Sequence, residues 1–265
     1  MPDACQRFHD HVASIYDDMY RRTPYWEFYH EASWDHMKAF LPRDLSQEAH
    51  DVGCGTGLYG LKLLKAGFRV CFSDISPKML DVARRKVDDA GFADRAEFLR
   101  LDVACMEGIA FDRFGFICAQ GDPISLCSRP ENALREVART LRSDGRAVIS
   151  VDHRAGGYDF FFERGDLEGL KKFHRDGMLT WLAERHDERF PFFTFEPDDF
   201  RRLAKKAGLE VLSMIGKCVL PLRKHPELLE DRSARKTLLA IEKKLAGKEA
   251  YWGRASHLQI ALRKV

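Results

Sequence analysis

Apolar positions recur in two rhythms along this chain. Over residues 4–40 they follow a helical period, with Phe8, Val12, Ile15 and Met19 three or four apart. A second helical run begins after Thr23-Pro24 and stops near Leu41-Pro42; it carries Tyr25, Trp26, Phe28, Tyr29 and Trp34. From residue 48 the rhythm changes. Segments at 48–52, 69–73, 96–100, 114–119 and 146–151 have strand length, and helical stretches at 57–66, 77–90 and 130–141 lie between them. Such alternation predicts a parallel sheet with crossover helices. Ser76-Pro77 supplies an N-cap and a first-turn proline, and Gly67 and Gly91 stand where helices should stop. Another helix opens at Glu196-Pro197 and closes at Gly208, and strands at 209–215 and 256–263 finish the sheet. The expected fold is α/β: a doubly wound, mostly parallel seven-stranded sheet flanked by helices, preceded by N-terminal helices.

Two segments interrupt the alternation. Residues 153–195, after the fifth strand, hold ten aromatics, among them Phe160, Phe161, Phe162, Trp181, Phe192, Phe193 and Phe195. Residues 217–252 carry a charged helical stretch, roughly 226–245, ending in Tyr251-Trp252. No repeat or low-complexity linker separates them, so both are expected in the same globule. The expected organisation is a helical cap over 1–45 and an α/β domain over 46–265, with substrate-side insertions at about 153–195 and 217–252.

Composition narrows the partners. The 43 Lys and Arg nearly balance the 41 Asp and Glu, leaving a net charge of +2, so no basic footprint calls for nucleic acid. Basic runs such as Arg84-Arg85-Lys86, Arg201-Arg202 and Lys205-Lys206 fall in helical stretches and read as solvated faces. No apolar run reaches the ~18 residues of a membrane span, and the start lacks the apolar core of a secretory signal. The seven cysteines are scattered, with no C-x-x-C pair. They read as reduced thiols, several of them small core residues, in a cytoplasmic protein with no metal site.

The chemistry gathers at strand ends. Asp51-Val-Gly-Cys-Gly-Thr-Gly57 ends the first strand and opens a helix, where glycines let the backbone approach a ligand. Gly55, Gly57 and Gly60 also satisfy the dinucleotide pattern G-x-G-x-x-G, so this loop alone fits NAD as well. Three features favour S-adenosylmethionine. The glycines begin earlier, at Gly53, next to Cys54. Asp51 precedes them by two residues and can orient the cationic amino group of the methionine part. Asp74 and Asp102 end the second and third strands. Asp74 suits the ribose hydroxyls. Asp102 suits the adenine amine, with Ile75, Met79 and Val103 walling the ring. Each acid alone reads more readily as a loop cap or a surface charge; three at successive strand ends form a set.

On these residues the chain resembles the class I S-adenosylmethionine-dependent methyltransferase superfamily. The resemblance runs from about 48 to 152 and more weakly to 263. It is closest to the small-molecule branch that includes the ubiquinone and menaquinone C-methyltransferases. It implies a Rossmann-like methyltransferase fold, S-adenosylmethionine as cofactor and S-adenosylhomocysteine as product. It places Gln120 beside the methionine portion, and the N-terminal helix, with Tyr16 and Tyr20, over the cofactor. The segment Pro130 to Ile149 resembles the helix–turn–strand before the fifth strand. Two features depart from the pattern. The first strand, Gln47-Glu-Ala-His-Asp51, is polar, and His50 reads as a core histidine. Asp122-Pro123 is not the D-P-P-Y motif of base-amine methyltransferases.

Methyl transfer from a sulfonium needs alignment and exclusion of water more than a strong catalytic motif. The candidate bases are His153, Asp152, Asp122 and Tyr16, with Asp152-His153 expected to face the acceptor pocket. The aromatic segment 153–195 is the expected acceptor wall. The expected function is transfer of a methyl group in line to a small-molecule acceptor. RNA or protein methylation and an NAD-type oxidoreductase are the alternatives. Monomer and homodimer both remain open.

Overall fold

The computed structural model describes residues 3–21 and 23–265. Seven strands form the main sheet: β1 (Glu48–Val52), β2 (Val70–Asp74), β3 (Ala96–Arg100), β4 (Phe114–Ala119), β5 (Leu141–Asp152), β8 (Leu209–Lys217) and β9 (His257–Lys264). A separate hairpin joins β6 (Met178–Trp181) to β7 (Phe190–Phe193). The sheet order is β3-β2-β1-β4-β5-β9-β8. Strands β1 to β5 run parallel, and β9 is antiparallel to both of its neighbours. The order reverses direction between β1 and β4, the switch point where open α/β sheets take their ligands.

The helices are α1 (Ala4–Val12), α2 (Tyr16–Arg21), α3 (Pro24–Lys38), α4 (Leu58–Lys65), α5 (Pro77–Asp89) and α6 (Pro123–Leu126). Then come α7 (Pro130–Thr140), α8 (Arg154–Arg164), α9 (Leu167–Asp176), α10 (Pro197–Lys206), α11 (Arg232–Ala246) and α12 (Glu249–Trp252). The capping logic explains several starts. Ser76 accepts from Met79 at the head of α5, Asp3 from Gln6 at α1, and Asp231 from Ala234 at α11. The cap at Asp231 delays the last long helix, which was expected from 226; Pro226–Leu229 forms a 3-10 turn instead.

Pleating sends neighbouring residues to opposite layers. Val148 joins the apolar layer under α4, with Leu63, Phe72 and Phe116; Ile149 joins the layer under α7 and α10, with Leu134, Val137 and Phe200. β5 starts at Leu141, earlier than the apolar pattern suggests, because Leu141 pairs with Phe114 before a register shift. The polar first strand is a core strand. His50 is fully buried, its Nε2 lies 2.8 Å from Ser73 Oγ on β2, and its ring lies 4.4 Å from that of Phe114. Burial pushes its pKa down to about 3, so the ring is neutral.

Candidate active site

The carboxyl ends of β1, β2, β4 and β5 open into a cavity of about 810 Å³, roofed by α2 and α3. One half is built mainly from backbone. Gly53, Gly55 and Gly57 take φ values of +62°, +52° and +82°, which side chains with a Cβ rarely adopt. A Cβ on Gly53 would lie 2.6 Å from Pro123 Cβ, so the loop is pressed against the start of α6. Gly53, Cys54, Gly55 and Thr56 line the cavity. Gly57 does not; it caps α4, and a Cβ there would lie 3.0 Å from Ala83 of α5. Gly60 serves close helix–strand packing, since its Cβ would lie 2.0 Å from the Phe72 ring.

The three acids behave differently. Asp74 lines the cavity, and its carboxylate is fixed by the N–H groups of Gly55 (2.8 Å) and Ser76 (2.9 Å). Each oxygen keeps a further lone pair for a ligand hydroxyl. Asp102 also lines the cavity, while Oδ1 accepts from the Ala104 N–H at 2.8 Å; it is a loop cap and a wall residue at once. Asp51 is not in the wall. It lies behind the loop, 2% exposed, accepting from the Gly60 N–H at 2.7 Å. Burial pushes its carboxyl up to about 7. Its observed contact fixes the helix that follows the loop, and it is not among the residues that line the cavity.

Ile75, Leu101 and Val103 form the apolar end of this half. Met79 does not reach it. One turn into α5, it is fully buried against Phe8 and Val12 of α1 and belongs to the core. Tyr16 and Tyr20 line the roof, and Tyr16 Cε1 lies 4.0 Å from where a Gly55 Cβ would be. Polar latches hold the roof down. Thr56 Oγ1 donates to Asp17 at 2.6 Å, the Lys86 ammonium pairs with Asp17, and Ser76 Oγ donates to Asp10 at 2.6 Å.

The other half is built from side chains. Asp122 lies just beyond the end of β4, Asp152 ends β5, Lys217 ends β8 and His257 opens β9. His257 Nε2 is 3.6 Å from Asp122 and 3.7 Å from Asp152, beyond ordinary hydrogen-bond length. Donor atoms of these three residues lie within 4.8 Å of one another, a spacing that a cation can bridge. Lys217, 4% exposed, donates to Gln120 Oε1 at 3.2 Å and lies 4.3 Å from the centre of the Tyr29 ring. Burial lowers the pKa of Lys217 and of His257, and raises that of Asp152 well above the carboxylate range, with Asp122 repelling its charge. Asp122 adopts φ +64°, unusual for a residue with a Cβ.

Two expectations need correction. His153 does not line the cavity; its Nδ1 lies 2.9 Å from Ala255 O and its N–H donates to Ser256 O. Adjacent extended residues point to opposite sides, so when Asp152 takes the cavity, His153 cannot. The aromatic insertion contributes only its hairpin, through Trp181 and Phe190. Phe160 and Phe161 cluster near Phe173, Phe162 is 76% exposed, and Phe192, Phe193 and Phe195 do not line the cavity. The remaining aromatic wall comes from Phe8 of α1, Trp26 and Tyr29 of α3 and Tyr59 of α4. Sequence reasoning missed these, along with Lys217, His257 and Arg235. Lys217 left a trace: a lysine inside the apolar run Met214-Ile-Gly-Lys-Cys-Val219, a residue type rarely buried without a reason.

A family model described as a methyltransferase domain matches residues 49–145, the span from β1 into β5. A protein of Geobacillus sp. (strain WCH70) that bears a methyltransferase name is 27% identical over 227 residues, covering 74% of this chain and 90% of its own. The methyltransferase GfsG of Streptomyces halstedii is 31% identical over 165 residues, covering 62% of this chain and 53% of its own. Residues 49–145 form a methyltransferase domain, and the chain is similar to S-adenosylmethionine-dependent methyltransferases. S-adenosylmethionine is therefore its cofactor. A solved Listeria monocytogenes structure titled as an enzyme of this type superposes with a TM-score of 0.63 at 19% identity, covering 89% of this methyltransferase and 97% of that chain. The cavity lies at the switch point of the sheet, the place where open α/β sheets in general take their ligands. No helix among the described residues is long and apolar enough to cross a membrane.

Proposed function

We propose that this methyltransferase acts on a small-molecule acceptor, held between α2, α3 and the far ends of β4, β5 and β9. The supporting observation is enclosure. Asp122 and Lys217, at the floor, are 8% and 4% exposed, and Arg235 bridges Glu27 and Glu31 where α3 and α11 meet beside the cavity. A polymer would need an open groove, and a nucleic acid a basic one. RNA and protein acceptors remain outcomes of the test.

The cradle fits the cofactor. Bound S-adenosylmethionine supplies a methyl group already activated on a sulfonium. The glycine loop gives a backbone surface without side chains, and Asp74 presents a fixed carboxylate to the ribose hydroxyls. Asp102, Ile75 and Val103 serve the adenine end, and Cys54, Gln120, Tyr16 and Tyr20 the methionine end. Asp51, Gly57 and Met79 support this half from behind. The Tyr16 phenol is half-buried in the roof, and desolvation raises its pKa well above the usual value of 10, so it packs and donates and does not act as a base. His257 and Asp152 are the groups placed to take a proton from an acceptor, with Asp122 beside them. Catalysis then consists of alignment, exclusion of water by the latched N-terminal helices, and proton removal.

The test is transfer of labelled methyl groups into whole-cell material divided into a low-mass fraction, RNA and protein. Label in the low-mass fraction is expected. Label confined to RNA or protein would reject the small-molecule reading.

A further inference from the structure

We infer that the acceptor is an amine that enters as an ammonium and is held between Asp122, Asp152 and the aromatic wall, with His257 as the base. This rests on the small-molecule reading above and names the class of acceptor for that same chamber.

The floor is electrically incomplete. Burial and the neighbouring Asp122 charge make Asp152 costly to ionise, yet among the described residues the only ion-pair partner of the two carboxyl groups is His257, at 3.6 and 3.7 Å. Asp122 is 8% exposed, lines the cavity, and keeps a buried Oδ1 without a hydrogen-bond partner. A buried carboxylate oxygen left unpaired is costly, and a ligand that donates to it relieves that cost. Lys217 does not fill the role, because its ammonium is taken by Gln120 Oε1 and the face of Tyr29. What fits is a donor with positive charge. The Trp26 and Tyr29 rings, edge to face at 5.3 Å, stand in the same chamber and favour an organic cation.

A divalent metal ion is the competing occupant of the trio. It suits the site less well. Mg²⁺ and Mn²⁺ favour about six ligands, mostly oxygen. Asp122, Asp152 and His257 offer three, and the neighbouring wall is aromatic rings and the Lys217 ammonium, which repels a double charge more than a single one.

The chemistry also favours nitrogen. A hydroxyl would have to become an anion beside two carboxylates. An ammonium instead gives one proton to His257 Nε2, and the imidazolium formed lies between Asp122 and Asp152. The freed nitrogen lone pair makes the new C–N bond. The C–S bond breaks with its electron pair returning to sulfur, leaving S-adenosylhomocysteine as a neutral thioether. The positive charge has moved from sulfur to nitrogen, toward the carboxylates, so their field stabilises the charge as it develops. Pro123 joins the two halves, touching the glycine loop at Gly53 on one side and following Asp122 on the other.

The test uses the full chain, tritiated S-adenosylmethionine and a low-mass metabolite extract treated with EDTA. Products are separated on a cation-exchange resin in acid and eluted with ammonia. Most label is expected in the retained, basic fraction, with no requirement for added Mg²⁺ or Mn²⁺. Asp122→Asn and Asp152→Asn should each lower the rate by about 100-fold. Their affinity for S-adenosylhomocysteine, which reports folding and the donor half, should stay within about threefold. Label in the neutral or acidic fraction would overturn the amine inference and leave the small-molecule reading standing. A rate abolished by EDTA and restored by Mn²⁺ would overturn it in favour of a metal. Label in no low-mass fraction would overturn both.

Discussion

The two halves of the cavity are made by different means. The half proposed for the donor is short in sequence and made largely of backbone: Gly53 to Thr56, then Asp74-Ile75, then Leu101 to Val103, each at the end of a successive parallel strand. The half proposed for the acceptor is made of side chains from distant places: Tyr20, Trp26 and Tyr29 near the start, Asp122 and Asp152 in the middle, Lys217, Arg235 and His257 near the end. A backbone cradle leaves a motif, because glycine and strand-end acids have few substitutes there. A side-chain chamber leaves none, because many residues can fill it once the fold has brought them together.

The contrast predicts unequal sensitivity. The largest effect is expected on the backbone side. Gly55→Val places a β-branched residue at φ +52°. Conversion to a strained loop should weaken S-adenosylhomocysteine binding by about 100-fold, as measured by calorimetry. A folded variant that binds normally would show that the loop tolerates side chains and would break the contrast. A smaller effect is expected at the roof. Asp17→Ala removes the latch to Thr56 and Lys86 and should speed dissociation of S-adenosylhomocysteine a few-fold, read by stopped-flow fluorescence. An unchanged rate would mean that α2 does not gate the donor half.

The smallest effect concerns acid stability. His50 titrates near 3 in the folded chain, and burial also lowers His30 and His36 to about 4. Unfolded histidine titrates near ~6.5. Below that value the unfolded chain binds more protons, so stability is lost as pH falls from about 6.5 toward 4. His50→Asn should shed part of that slope in denaturant titrations run from pH 7 to 5. An identical slope would mean that His50 is already solvated.

Legibility in the sequence followed the same division. The main-sheet strands fall within a residue or two of their apolar patterns, except where β5 starts early at Leu141. Caps at Ser76 and Glu196 marked helix starts correctly. On the donor side, Gly53, Cys54, Gly55, Asp74, Ile75, Asp102 and Val103 all reach the cavity. Asp51 and Met79 sit one layer behind it, a difference of side-chain direction that spacing does not encode. On the acceptor side, Asp152 and His153 are sequence neighbours with opposite fates, decided by the pleat. The aromatics of 153–195 were conspicuous by number, yet most pack among themselves or under the sheet edge. His257 gave no signal, since one histidine at the head of a terminal strand gains meaning only when β9 slots between β5 and β8.

The central claim is that donor and acceptor sites are separate halves of one cavity. Calorimetric titration of S-adenosylhomocysteine into Asp74→Ala and Asp122→Asn, side by side with the parent chain, tests it most directly. Asp74→Ala should lose about tenfold in affinity through its ribose hydrogen bonds, and Asp122→Asn should change it less than about threefold. Equal losses in both variants, or a loss confined to Asp122→Asn, would contradict the division.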